Sequence, residues 1–175
     1  MSLSALDISF QSIHVPAMSS AAARAINKII RTSSLIKSHI AEVLQAVRQL
    51  LTQPVEIVDK IMVVEGYTFL IAQSVPAEDE VRFLSFIIIE ALKGVEFSDP
   101  NSFCVDSNIA LQVLKIIFAV GKTLYTTAPA KLNELAWREG DGSELADRVR
   151  KAVVLFWGLF GEDFEVMEVL IPWRC

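Results

Sequence analysis

The sequence has little cysteine, histidine, glycine and proline: two, two, seven and six of them in 175 residues. Two cysteines are too few for a disulfide framework, and a chain of this length can bury a core without one. A reducing, cytoplasmic setting is the simplest expectation. Runs of the roughly 18 apolar residues that a membrane helix needs are also missing, so we do not expect a transmembrane protein.

Positive charge is scarce overall and unevenly placed. The net charge of −5 argues against a nucleic-acid binder, yet residues 1–41 carry +3 and residues 42–175 carry −8. The asymmetry marks either the basic side of one folded domain, which is the simpler interpretation, or a surface for an acidic partner or a membrane. Peripheral membrane contact, the weaker alternative, would use the four cations of that region: Arg24, Lys28, Arg31 and Lys37.

Acidic residues are absent from Ile8 to Ala41, a stretch that also contains serine, arginine and lysine. That composition resembles an organelle transit peptide. The apolar spacing of the stretch continues into the rest of the chain, which favours a folded domain instead. Organelle targeting is kept as the alternative to a cytoplasmic location.

The clearest pattern present is a heptad repeat between residues 22 and 50. Apolar residues recur every seven positions in two series offset by three, which is typical of a helix that packs along one stripe. Ser33–Ser34 offers a break, but the unbroken phase predicts one helix of about thirty residues that ends before Pro54. We predict that the stripe forms an interface, or else the monomer core, through Ile26, Ile29, Ile36, Ile40, Val43, Val47 and Leu50.

Three other segments predict strands. Residues 1–16 alternate apolar and polar side chains, which indicates an N-terminal arm or strand. Residues 55–73 are rich in valine and isoleucine around Glu65–Gly66, a combination typical of a β-hairpin. Residues 164–171 read as a final strand that extends the hairpin into a small antiparallel sheet.

Further helices are predicted at about 76–94, 107–126 and 143–160, where apolar residues follow helical spacing. Together these elements predict the α+β class, mainly helical, with a small antiparallel sheet. We expect a single domain over residues 17–175, preceded by the N-terminal arm.

Motifs for catalysis or cofactor binding are not apparent. Gly121–Lys122–Thr123 matches the end of a phosphate-binding loop, but the earlier glycine that such a loop needs is Ile116. We therefore predict no catalytic, cofactor-binding or metal-binding residues. An apolar pocket is a further possibility, lined by the aromatic side chains Phe156, Trp157 and Phe160.

The function that these patterns favour is a non-enzymatic interaction module, an adaptor or regulator that self-associates or docks a helical partner through helix faces. The first alternative is a binding protein for an apolar small molecule or a lipid. The second is an enzyme whose catalytic groups meet only in the folded structure.

Overall fold

The computed structural model describes residues 3–92 and 107–127. This part is 87% helical and contains no strand, so the predicted α+β class with a small sheet is wrong for it. Six α-helices and one 3-10 helix follow one another in the described part: α1 (Leu3–Ser12), α2 (Ser19–Thr32), the 3-10 helix (Ser34–His39), α3 (Ile40–Thr52), α4 (Ile57–Ser74), α5 (Ala77–Leu92) and α6 (Ser107–Thr127).

Helix α4 is the central element of the described part. It contacts α2, α3, α5 and α6, and ten of its eighteen residues are buried. A helix that is buried over most of its circumference must be surrounded by other elements. Val63, Val64 and Ile71 therefore pack in a helical core, whereas Val58 is exposed.

The predicted hairpin over residues 55–73 is this one helix, and Gly66 is not in a turn. Gly66 faces α2, where an added Cβ would lie 3.1 Å from the Asn27 Cα atom. Asn27 also donates a hydrogen bond from Nδ2 to the Met62 carbonyl at 2.5 Å. The missing side chain thus allows the two helices to approach closely.

Helices α2 and α4 run in the same direction. Ser19 contacts Asp59 near the start of both helices, and Arg31 contacts Phe69 near their ends. Helix α3, which lies between α2 and α4 in the sequence, returns the chain from the end of α2 to the start of α4. The carbonyl of Leu51 in α3 accepts a hydrogen bond there from Lys60 at 3.0 Å.

Helix α3 is also connected to α5 by an ion pair. The Arg48 guanidinium donates to Glu90 Oε2 from Nε at 3.2 Å and from Nη2 at 3.1 Å. The same guanidinium lies 5.5 Å from the ring centre of Phe86, so charge and aromatic packing hold the two helices together.

The N-terminal strand predicted within residues 1–16 is also wrong, because residues 3–12 form α1. Leu6 and Ile13 are buried and Phe10 packs against the core, which is the spacing of one helix face. Ile8, which a strand would place on the same face as Leu6, is exposed.

The long heptad helix is interrupted. Ser33 takes an extended conformation, with φ −90° and ψ 115°, and the 3-10 helix then leads into α3. The helices predicted at about 76–94 and 107–126 are confirmed as α5 and α6. The helix predicted at 143–160 and the strand predicted at 164–171 lie outside the described residues.

Candidate functional site

The heptad stripe lies in the core of the single chain. All of its predicted members are buried except Ile40, which is half-buried and packs against the same core. The stripe survives the break at Ser33 because α2 and α3 pack on the same interior. Its assignment as an interface between copies stays a prediction, while the structure gives the stripe partners within its own chain.

The side of α2 that lies opposite the heptad stripe carries positive charge. Arg24, Lys28 and Arg31 are four and three residues apart, so they form one row along the helix. Lys37 follows in the 3-10 helix, and all four side chains are exposed. We call these four residues the basic face.

The basic face forms no ion pair with any carboxylate of the described residues. The two ion pairs found there, Arg48–Glu90 and His39–Glu42, involve none of its members. The His39–Glu42 contact spans 3.4 Å and is exposed; hydrogen bonds to the Glu42 carboxylate, from the backbone and then from His39, lower its pKa. The positive charge of the basic face is therefore presented outward.

This row of like charges is a cost to α2 itself. Like charges three or four residues apart on a helix repel by roughly 0.2–0.5 kcal/mol per pair. Arg31 alone gains from its place in the last turn, where the helix dipole favours a cation. The row is thus not explained by the stability of the helix.

A pocket of about 300 Å³ opens at the end of the basic face. Its walls come from the end of α2, the 3-10 helix and the end of α4. The Arg31 guanidinium lies 4.7 Å from the ring centre of Phe69 at this pocket. The lining residues are Ile30, Arg31, Thr32, Ser33, Ser34, Lys37, Phe69, Leu70, Gln73 and Ser74, and none of them is acidic.

The buried polar groups connect helix ends. Ser19 donates from Oγ to the Asp59 carboxylate at 2.5 Å, which joins the start of α2 to the start of α4. Burial lowers the pKa of Lys60, whose Nζ donates to one of the last carbonyls of α3. Neither group is exposed, so their arrangement fits a structural role.

The next sites to consider in the described part are a metal site and a nucleotide-phosphate site. Among residues 3–92 and 107–127, no three histidine, cysteine or acidic side chains are grouped to hold a metal ion. Gly121–Lys122–Thr123 lies inside α6, where helical backbone cannot form a phosphate-binding loop. The predicted apolar pocket at Phe156, Trp157 and Phe160 lies outside the described residues.

Sequence reasoning singled out the four cations but missed the α4 side of the pocket. Phe69 and Gln73 come from a segment predicted as a hairpin, Ser74 directly follows that segment, and nothing in the sequence pairs them with Arg31. Only the packing of α2 alongside α4 brings them together.

The described part is thus a helical assembly with an apolar interior and one exposed, unpaired basic face. Of its helices, none has the combined length and apolar composition to cross a membrane. No family model, no curated protein and no solved structure matches the chain.

Proposed function

We propose that the chain is a non-enzymatic interaction module, an adaptor or regulator, that docks an acidic helical segment of another protein on its basic face. The observation that carries the proposal is the row of Arg24, Lys28 and Arg31, which forms no ion pair with a carboxylate of the described residues, in a molecule of net charge −5. A partner that supplies carboxylates would remove the repulsion that the row imposes on α2.

The spacing of the row suits a helix. Arg24 and Arg31 are seven residues apart, which is about 10.5 Å along α2. Carboxylates at positions i, i+4 and i+7 of a partner helix would have the same spacing and would meet the three cations together. Lys37, in the 3-10 helix, extends the positive surface beyond the end of α2.

A membrane is the less suitable partner. Charge alone does not separate the two partners, because four cations near an anionic membrane contribute about 4 kcal/mol, which is also the upper limit for four exposed ion pairs. Stable attachment needs apolar side chains that insert beside the charges. Leu35, at 57% exposure, is the one large exposed apolar residue of the segment from α2 through the 3-10 helix.

The test is a fluorescence-anisotropy titration of a labelled helical peptide that carries glutamates at i, i+4 and i+7. We expect Lys28→Glu to weaken binding about fivefold, since one surface pair is worth up to about 1 kcal/mol. Lys122→Glu is the matched control: it makes the same charge change at an exposed lysine of α6. It should leave the affinity within twofold.

Equal effects of the two variants would show that only the net charge matters and would refute the docking site. Binding to phosphatidylserine vesicles that depends on Lys28, with no binding to the peptide, would replace the protein partner with a membrane. Sedimentation of the unmodified chain as a dimer that Lys28→Glu dissociates would make the partner a second copy.

A further inference from the structure

We infer that the pocket beside Arg31 binds a phosphate monoester, so that the partner of the basic face is a protein carrying a phosphorylated side chain. This inference rests on the proposed function, because the pocket shares Arg31 and Lys37 with the basic face. The pocket would add a partly enclosed contact with defined geometry to the partner's binding site, which four exposed ion pairs alone do not supply.

Arg31 is held in place for this role. Its guanidinium lies 4.7 Å from the ring centre of Phe69, and a planar guanidinium stacked on an aromatic ring loses less freedom when it binds. Its N–H groups form a fork that matches two oxygens of a phosphate group. Lys37 adds a second positive charge to the pocket wall.

Ser74 supplies the second observation. Its hydroxyl is out of contact with solvent and has no hydrogen-bond partner, although it belongs to a residue that lines the pocket. Tyr67 and Thr68 of α4 also carry buried hydroxyls without a partner, but of these three residues only Ser74 lines the pocket. A buried hydroxyl without a partner is costly, so we expect the Ser74 side chain to rotate toward a phosphate in the pocket, whose oxygen would supply the acceptor that it lacks.

The charge balance of the pocket favours a dianion. Helices α2 and α4 both end here, and each C-terminus contributes about half a negative charge. The two full positive charges of Arg31 and Lys37 outweigh them. A phosphate monoester carries −1.5 to −2 charges and three acceptor oxygens, so it gains more than a carboxylate would from the same donors.

The size of the pocket agrees with this ligand. About 300 Å³ is at the small end of ligand pockets, enough for a phosphate group and the atoms that attach it to a side chain. Ile30, Leu70 and the ring of Phe69 provide apolar contacts for those atoms.

The experiment compares one acidic peptide containing a single serine in its phosphorylated and unphosphorylated forms. The unmodified chain should bind the phosphorylated form at least tenfold more tightly, since a hydrogen bond to a charged group is worth roughly a tenfold change or more. Ser74→Ala and Arg31→Lys should each reduce that ratio severalfold. Ser12→Ala, which removes a hydroxyl from the last residue of α1, should leave it unchanged.

Equal affinity for the two peptides would overturn the phosphate site and leave the proposed function standing. A phosphate preference that neither Ser74→Ala nor Arg31→Lys reduces would also overturn it, because the phosphate would then bind elsewhere. If neither peptide binds, both proposals fall. Inorganic phosphate, added at the concentration of the phosphorylated peptide, tests the source of the ligand. Displacement of the peptide by inorganic phosphate would support the pocket with free phosphate as its ligand, and no displacement would assign the pocket to the phosphorylated partner.

Discussion

Gly66 has a packing role that its sequence context concealed. Beside Glu65 and among valines and isoleucines, it predicted the turn of a hairpin, because glycine is the residue that such turns require. In the structure it lies in the middle of α4, against Asn27 of α2. Local sequence could not distinguish the two roles, since glycine serves both a turn and a close helix contact.

Replacement of Gly66 by alanine should destabilise the protein. Alanine favours a helix by about 1 kcal/mol, but its Cβ would meet the Asn27 Cα at 3.1 Å, and overpacking of this kind costs about 1–3 kcal/mol. We expect the free energy of unfolding in urea to fall by about 1 kcal/mol. Gly121→Ala is the control, because among the described residues no atom outside its own stretch of helix lies within 4 Å of the added Cβ, and it should raise that free energy by up to about 1 kcal/mol. An equal gain from both variants would contradict the close approach of α2 and α4.

At the scale of elements, periodicity predicted burial better than it predicted secondary structure. The heptad repeat correctly predicted which side of residues 22–50 is buried. It did not predict the end of α2 at Ser33, because the spacing of apolar residues is the same on both sides of that break. Tyr67, Phe69 and Ile71 alternate as a strand would, yet Tyr67 and Ile71 are also four apart and share one helix face. Only the helices that surround α4 decide between these interpretations.

The 3-10 helix offers a direct test of whether the heptad stripe is core. Ile36 is 1% exposed and its neighbour Leu35 is 57% exposed. Ile36→Asp should lower the free energy of unfolding by about 3–5 kcal/mol, because it buries an unpaired charge. Leu35→Asp should change it by about 0.5 kcal/mol or less. A folded Ile36→Asp protein that has only lost self-association would make the stripe an interface instead.

At the scale of the whole molecule, the charge asymmetry of the sequence corresponds to one surface of the structure. Residues 1–41 are basic and the rest of the chain is acidic, and three of the four cations lie in one row along α2. The pocket beside that row could not be predicted, because Ser74 and Arg31 are 43 positions apart and meet only through the packing of α2 on α4.

The basic face should reduce the stability of the molecule. Lys28→Glu removes two repulsions, with Arg24 and Arg31, and adds two attractions, so it should raise the free energy of unfolding by about 0.8–2 kcal/mol. Lys122→Glu, with no charged residue three or four positions away on α6, should change it by about 0.5 kcal/mol or less. Urea unfolding at low ionic strength measures both. A loss of stability in Lys28→Glu would mean that the lysine already has a favourable partner within the chain.

The most direct measurement is a two-dimensional ¹H–¹⁵N NMR titration of the unmodified chain with the acidic helical peptide. We predict that backbone amide shifts change along residues 24–37 and at residues 69–74, where the basic face and its pocket lie. Shifts centred instead on the exposed Ile109 and Phe118 of α6, or no shifts at millimolar peptide, would contradict docking on the basic face.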